Sequence, residues 1–228
     1  MNRTYLLVML FSSFPALTGC DKLMKQVIKS PLNGHSSAAN GLLRHDDIKI
    51  VLWGQSNAQP ELGHMLGARI TTGDVLLYDF HKGSTDSYYW KDPVNHQALV
   101  DAVALQQPDY VFCLQGESDA NTPATIYYQN MAVVWEKIKL ASPHSYRSQA
   151  MLGSYTAVGD ARAGQWMLKQ AGLIFMGPDV EKFRNDTLTI DGVHFNPEGQ
   201  RQIADKWLSI MNGENYRYWD ANNDRYFN

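Results

Sequence analysis

The stretch Ile48-Lys49-Ile50-Val51-Leu52-Trp53-Gly54-Gln55-Ser56-Asn57 decides the fold. Apart from Lys49 its first part is apolar on both faces, which predicts a strand buried inside a parallel sheet. The run ends in a glycine and three polar residues, the composition of a tight turn. Further short apolar runs follow at residues 74–80, 110–114, 149–155 and 173–176. Helical patterns fill the gaps. Leu99, Val100, Val103 and Ala104 form one stripe in residues 97–106, ahead of Pro108. Thr122 and Pro123 read as the N-cap and first residue of a helix over 123–140. Another helix covers 160–171 and stops at Gly172, and the last covers 197–211 and stops before Gly213. Strands alternating with helices predict a doubly wound α/β sandwich. In such sheets the chemistry lies just beyond the carboxyl ends of the strands.

Composition narrows the function. At 228 residues and 44% hydrophobic content the chain can bury a sizeable core, so disorder as its main state is excluded. A net charge of −3, with no basic run, argues against a nucleic-acid partner. Two cysteines exclude a disulfide scaffold, and Cys113 lies in an apolar run where it reads as a small core residue. No metal or organic cofactor is expected. His64, His81, His96 and His144 have no His, Cys or carboxylate partner at metal spacing and read as surface or loop residues. The segment 220–225 echoes the start of a calcium loop, but Arg225 stands where that loop needs glycine. The aromatic tail of Tyr216, Tyr218, Trp219, Tyr226 and Phe227 is expected to fold back onto its own domain.

The N-terminus reads as an address rather than as domain. Arg3 precedes an uncharged, mostly apolar run at 5–17. Leu17-Thr18-Gly19-Cys20 resembles the lipobox of bacterial lipoproteins. That resemblance implies a signal peptide over 1–19 and acylation of Cys20. The mature chain would then be held to a membrane in the bacterial cell envelope, facing the periplasm or exterior. Residues 20–46 are crowded with Ser, Asn, Gly and Pro and read as a flexible tether, with the domain over 47–228.

Three clusters at or after the strand ends could carry chemistry. Gly54-Gln55-Ser56-Asn57 exposes a serine hydroxyl on a turn between strand and helix, where main-chain N–H groups can meet an oxyanion. Gln115-Gly116-Glu117-Ser118-Asp119 follows the run 110–114 and offers a side-chain amide. Asp191 and His194 are three apart, so a carboxylate can fix the imidazole tautomer and leave the other nitrogen to take a proton. Ser56, His194 and Asp191 then make an acyl-transfer triad.

Taken in order, the three blocks resemble the SGNH hydrolases, in the branch of sialate O-acetylesterase-like carbohydrate esterases. The matching segments are Gly54 to Asn57 with Trp53 before them, Gln115 to Asp119, and Asp191 to His194. The resemblance implies a three-layer α/β/α sandwich around a mainly parallel, flavodoxin-like sheet of five strands. It implies Ser56 as nucleophile, His194 as general base and Asp191 as the residue orienting it. It places the oxyanion hole at the N–H of Ser56, the N–H of Gly83 and the side chain of Gln115, with Trp90 at a familiar spacing. Gln55, Asn57 and Glu117 would support the site. One feature departs from the pattern: Lys82 stands where relatives often carry a second glycine. Gln115 follows the branch, which has glutamine where the wider superfamily has asparagine. The implied activity is removal of O-acetyl groups from carbohydrate, with no obligate protein partner. Two other readings stay open at this point: a lipid or thioester hydrolase on the same scaffold, and a glycan-binding envelope protein without catalysis.

Overall fold

The structure is a computed structural model that describes residues 24–28, 46–119, 121–152, 160–214, 218–220 and 225–227. The leader, Cys20 and most of the stretch read as a tether lie outside the described residues. So do the side chains of the aromatic tail and of the calcium-like segment.

One sheet carries the domain. Its strands are β1 (Met24–Ile28), β2 (Ile48–Gly54), β3 (Val75–His81), β4 (Tyr110–Leu114), β5 (Tyr146–Met151) and β6 (Phe175–Asp179), in the order β1-β3-β2-β4-β5-β6. The five strands β2 to β6 are parallel and flavodoxin-like in order, as expected. The sixth, β1, runs antiparallel to β3 and pairs Met24 with Asp79. It lies inside the stretch expected as a tether, so part of that stretch is paired to the domain edge. A separate antiparallel pair, β7 (Tyr218–Asp220) and β8 (Arg225–Phe227), follows the last helix.

The alternation of side chains along each strand builds two cores. Val51, Trp53, Val111 and Cys113 face one layer of helices: α2 (Ser87–Lys91), α3 (Pro93–Gln106), α4 (Ala124–Ala141) and α5 (Asp160–Gln170). Ile50, Leu52, Phe112 and Leu114 face the other layer. That layer is α1 (Pro60–Ile70) and α6 (Pro197–Met211). Trp53 is fully buried and meets Trp90 and Trp135 edge to face, at centroid distances of 5.0 and 5.1 Å. These contacts fix β2 against α2 and α4, each worth about 0.5–1.5 kcal/mol beyond the buried area. No helix among the described residues is long and apolar enough to cross a membrane.

Several boundaries differ from the sequence reading, for identifiable reasons. The fourth strand begins at Tyr146 instead of residue 149. Its polar residues are buried with partners: Trp207 Nε1 donates to Ser148 Oγ at 2.8 Å, and Trp135 Nε1 donates to Gln149 Oε1 at 2.9 Å. The fifth runs through Gly177 and Pro178, because β6 is a sheet edge where proline removes no needed donor. Helix α2 was not expected, and the helix expected after the serine turn, α1, starts only at Pro60. In α1, Leu62, Leu66 and Ile70 face the core. Gly63 and Gly67, residues that discourage a helix reading, let the backbone approach β3. A methyl at either would come within 2.7 Å of Leu77 or Val75 side-chain atoms.

Candidate active site

The serine turn is fixed by backbone contacts to both neighbouring strands. Gly54 has φ +125°, and a Cβ there would lie 2.0 Å from the Leu114 carbonyl oxygen. That closeness lets the Gln55 N–H donate to Leu114 O at 2.9 Å, while the Lys82 N–H donates to Gly54 O at 2.8 Å. Ser56 is half-buried on the turn. Helix α1 starts only at Pro60, so its first turn does not supply the donor nearest the hydroxyl. The N–H beside it is that of Ser56 itself.

The loop after β3 runs past this turn. A Cβ added at Gly83 would lie 4.0 Å from Ser56 Cβ. Among the described residues nothing engages the N–H of Ser56 or of Gly83. Lys82 does not displace the loop: its main chain is held by Gly54, and its carbonyl accepts from Thr85 Oγ1 at 2.8 Å.

Asp191 and His194 form a closed unit. Asp191 Oδ1 accepts from the N–H groups of Val193 and His194 at 2.9 and 2.7 Å, and Oδ2 lies 2.7 Å from His194 Nδ1. Bonds from the His194 N–H, the His194 ring and the Val193 N–H hold the Asp191 carboxyl well below the usual carboxylate range. A proton on Nδ1, donated to Asp191, leaves Nε2 as the accepting nitrogen. The loop is pinned as a tight hairpin, with Ile190 N–H donating to His194 O at 2.8 Å and Asn196 N–H to Leu188 O at 2.9 Å.

Asn57 joins these two pieces. Its Oδ1 accepts from the Phe195 N–H at 3.1 Å, and its Nδ2 donates to Val193 O at 3.2 Å. The residue after Ser56 therefore grips both residues that flank His194. Asn57 Nδ2 also donates to Glu117 Oε1 at 2.5 Å, and Gln55 Nε2 donates to Glu117 Oε2. Glu117 is buried and accepts from Arg184 Nη2 at 2.7 Å. Gln55, Asn57 and Glu117 thus meet in one network beneath the serine turn.

Gln115 has a different task from the expected one. It is fully buried, and its Oε1 accepts from Trp90 Nε1 at 2.9 Å. Three internal acceptors compete for its two amide hydrogens: Gln55 Oε1 and Thr85 O at 3.0 Å, and Asp119 Oδ2 at 3.1 Å. This geometry leaves it no N–H for the cleft. Gln115 instead ties the serine turn to the Gly83 loop.

Sequence reasoning missed Arg184 and Asp79 here and named Asp119 without a task. Arg184 lies in a polar stretch with no pattern to single it out. Asp119 is fully buried and accepts from Ser87 N–H and Oγ, which anchors the start of α2; burial raises its pKa despite these bonds. Asp79 pairs with His81, at 2.7 Å from its Nδ1. His96, expected at the surface, is fully buried between Trp90 O at 2.8 Å and Lys137 Nζ at 2.7 Å.

No profile of a known protein family matches the chain, and no curated protein matches it in sequence. Solved structures do. A psychrotrophic esterase, EstA, from Pseudoalteromonas sp., crystallised inhibited by monoethylphosphonate, aligns with TM-score 0.53 at 14% identity over 72% of this chain and 97% of its own. A protein from Slackia heliotrinireducens classed with the SGNH hydrolases aligns at 0.53 and 20% identity, over 72% and 99%. A peptidoglycan O-acetylesterase aligns at 0.50 and 14%, over 61% of this chain and 46% of its own. At these identities the likeness concerns the backbone, and the parallel sheet with helices on both sides is the α/β fold of the SGNH and GDSL-type hydrolases.

Proposed function

We propose that this protein is a serine esterase that removes O-acetyl groups from carbohydrate. The reading is carried by one observation: Asn57, next to the serine, clamps the residues on either side of His194. It is supported by the esterases among the structural neighbours, a peptidoglycan O-acetylesterase included. The order of the sequence blocks points the same way.

In this reading His194 Nε2 takes the Ser56 proton as Oγ attacks the ester carbonyl. The negative charge that develops on the carbonyl oxygen is met by the N–H groups of Ser56 and Gly83. The protonated imidazole, steadied by Asp191, passes its proton to the departing sugar oxygen. Water, deprotonated by His194, then attacks the acetyl-serine and releases acetate. Gln115 works behind the oxyanion hole, by holding Thr85 and so the Gly83 loop. Acylation of Cys20 would keep the enzyme at the membrane surface, close to envelope glycans.

Acetate release from O-acetylated peptidoglycan, sialic acid, capsule and xylan tests this directly, with Ser56→Ala as control. The expected result is turnover on at least one glycan that the substitution abolishes. Equal release by Ser56→Ala would sink the mechanism. Rates on nitrophenyl esters that rise from acetyl to octanoyl would move the substrate to lipid.

A further inference from the structure

Asp191 orients the His194 ring, but among the described residues it is gripped only by groups of its own loop. It therefore does not locate that loop against Ser56. Something outside the loop must, because a general base displaced by about 1 Å can lose about 100-fold in rate. Asn57 supplies one grip. The other comes from Arg184, beyond the 3₁₀ turn Val180–Phe183 that follows β6.

The Arg184 side chain is 9% exposed and makes contacts in three directions. Nη1 donates to Val193 O at 3.0 Å, the same carbonyl that Asn57 holds. Nη2 donates to Glu117 Oε1 at 2.7 Å, the same oxygen that accepts from Asn57. Nε donates to Glu181 Oε2 at 3.0 Å. Its guanidinium carbon lies 5.5 Å from the centre of the Phe195 ring, on the far side of His194. Burial works against its charge, but Glu181 and Glu117 raise its pKa above the usual arginine value, so it stays cationic. A planar fork reaches a carbonyl and two carboxylates from three separate nitrogens, a spread that the single nitrogen of a lysine cannot match.

We propose that Arg184 is the positioning residue of the general base: it couples Glu117, and through it the serine turn, to the Val193 carbonyl and the Phe195 ring on either side of His194. The inference rests on the esterase reading for its kinetic consequences but not for its structural ones. Asp191 keeps the His194 tautomer from inside the loop, and a loop released from Arg184 lets the Asp191–His194 unit shift as a whole against the serine.

The test uses the mature full-length chain as wild type, Arg184→Ala, Arg184→Lys and, as control, Arg201→Ala on the exposed face of α6. Nitrophenyl acetate turnover gives kcat and KM. Labelling of Ser56 by a fluorophosphonate reports activation of the nucleophile without reference to any natural substrate. Two-bond ¹H–¹⁵N spectra report the His194 tautomer, and the shifts and widths of the same ring signals report whether the loop is held in one place. We expect Arg184→Ala to lose about 10–100-fold in kcat and in labelling rate with KM within about 3-fold. Its His194 should keep the tautomer that Asp191 fixes but show shifted, broadened ring signals, and millimolar guanidinium should restore part of the rate. Arg184→Lys should recover little, and Arg201→Ala should match wild type. Should Arg184→Ala fail to fold, Arg184→Lys carries the same comparison. A folded variant that keeps kcat, labelling rate and the wild-type His194 ring signals overturns the proposal. If wild type itself neither turns over nor labels, the esterase reading fails. The ring signals then still decide whether Arg184 positions His194.

Discussion

In Asp191–His194 and in Asp79–His81 a carboxylate oxygen lies 2.7 Å from Nδ1 of a histidine, and in both the same carboxylate also accepts the histidine's own N–H. The surroundings differ. Asp79 and His81 belong to β3, and the Asp79 side chain is only 7% exposed. Asp191 and His194 sit on a hairpin loop at 50% and 37% side-chain exposure. That loop is gripped by Asn57 and Arg184 from outside. A strand holds its pair in place without help. A loop does not, and the network of Gln55, Asn57, Glu117 and Arg184 exists around one pair and not the other. A histidine–aspartate contact is therefore a local motif, and on the proposed reading it is the apparatus around the Asp191 loop that would let His194 act as a general base.

The largest expected effect breaks this comparison outright. His194→Ala should lower kcat/KM by about 10⁵–10⁶-fold, the loss typical when a member of a catalytic serine–histidine unit is removed. His81→Ala should leave it nearly unchanged in the same nitrophenyl acetate assay. Comparable losses in the two variants would mean that His81 shares the chemistry.

Next come the aspartates. Asp191→Asn keeps the shape but gives His194 Nδ1 a donor to face, which favours the wrong tautomer. A fall of about 10⁴-fold in kcat is expected, read from pre-steady-state bursts. Asp79→Asn imposes the same change on the other pair and should leave the burst intact.

The two Asp–His pairs also show what a sequence conveys. The strands were legible because Ile50, Val51, Leu52 and Val111 are apolar whichever way they face. The pairing of Asp191 with His194 was legible from their spacing, and the serine turn from Gly54, whose φ is +125°. The extent of helix α1 was not legible, since Gly63 and Gly67 serve close helix-to-sheet contact and read as breakers. Arg184 was not legible either. Glu181 lies three residues from it, but Glu117 and Val193 are distant in sequence, and nothing in residues 180–186 announces them. Gln115 was placed on the right loop with the wrong task. Whether an amide turns to the cleft or to Gln55 and Thr85 is settled by rotamer and packing, not by residue type.

Gln115→Ala separates those two tasks. A lost oxyanion donor costs activity and leaves stability alone. A lost strut leaves buried Trp90 Nε1, Thr85 O and Gln55 Oε1 without this partner, at about 1–3 kcal/mol for each group left bare. Urea unfolding should therefore show destabilisation of at least about 1 kcal/mol. An unchanged midpoint together with a 100-fold or larger loss of kcat, on the order expected for an oxyanion donor, would return Gln115 to the oxyanion hole.

The smallest effect concerns the charge on His81. The hydrogen bond to Asp79 raises its pKa above the usual histidine value, with burial opposing and the charges of Asp79 and Glu61 adding to the rise. A folded-state pKa above the unfolded one means that the folded protein binds the proton more tightly. The resulting stabilisation is present in full below the unfolded-state value of about 6.5. It fades as pH rises through the raised folded-state value. His81→Asn should therefore destabilise the protein in urea at pH 5.5 and have a smaller effect at pH 9. The side chain is one-third exposed, so solvent screens the difference and keeps it modest. A gap between variant and wild type that widened with pH would reverse the sign of the linkage, and with it the reading of Asp79–His81 as a charged structural pair.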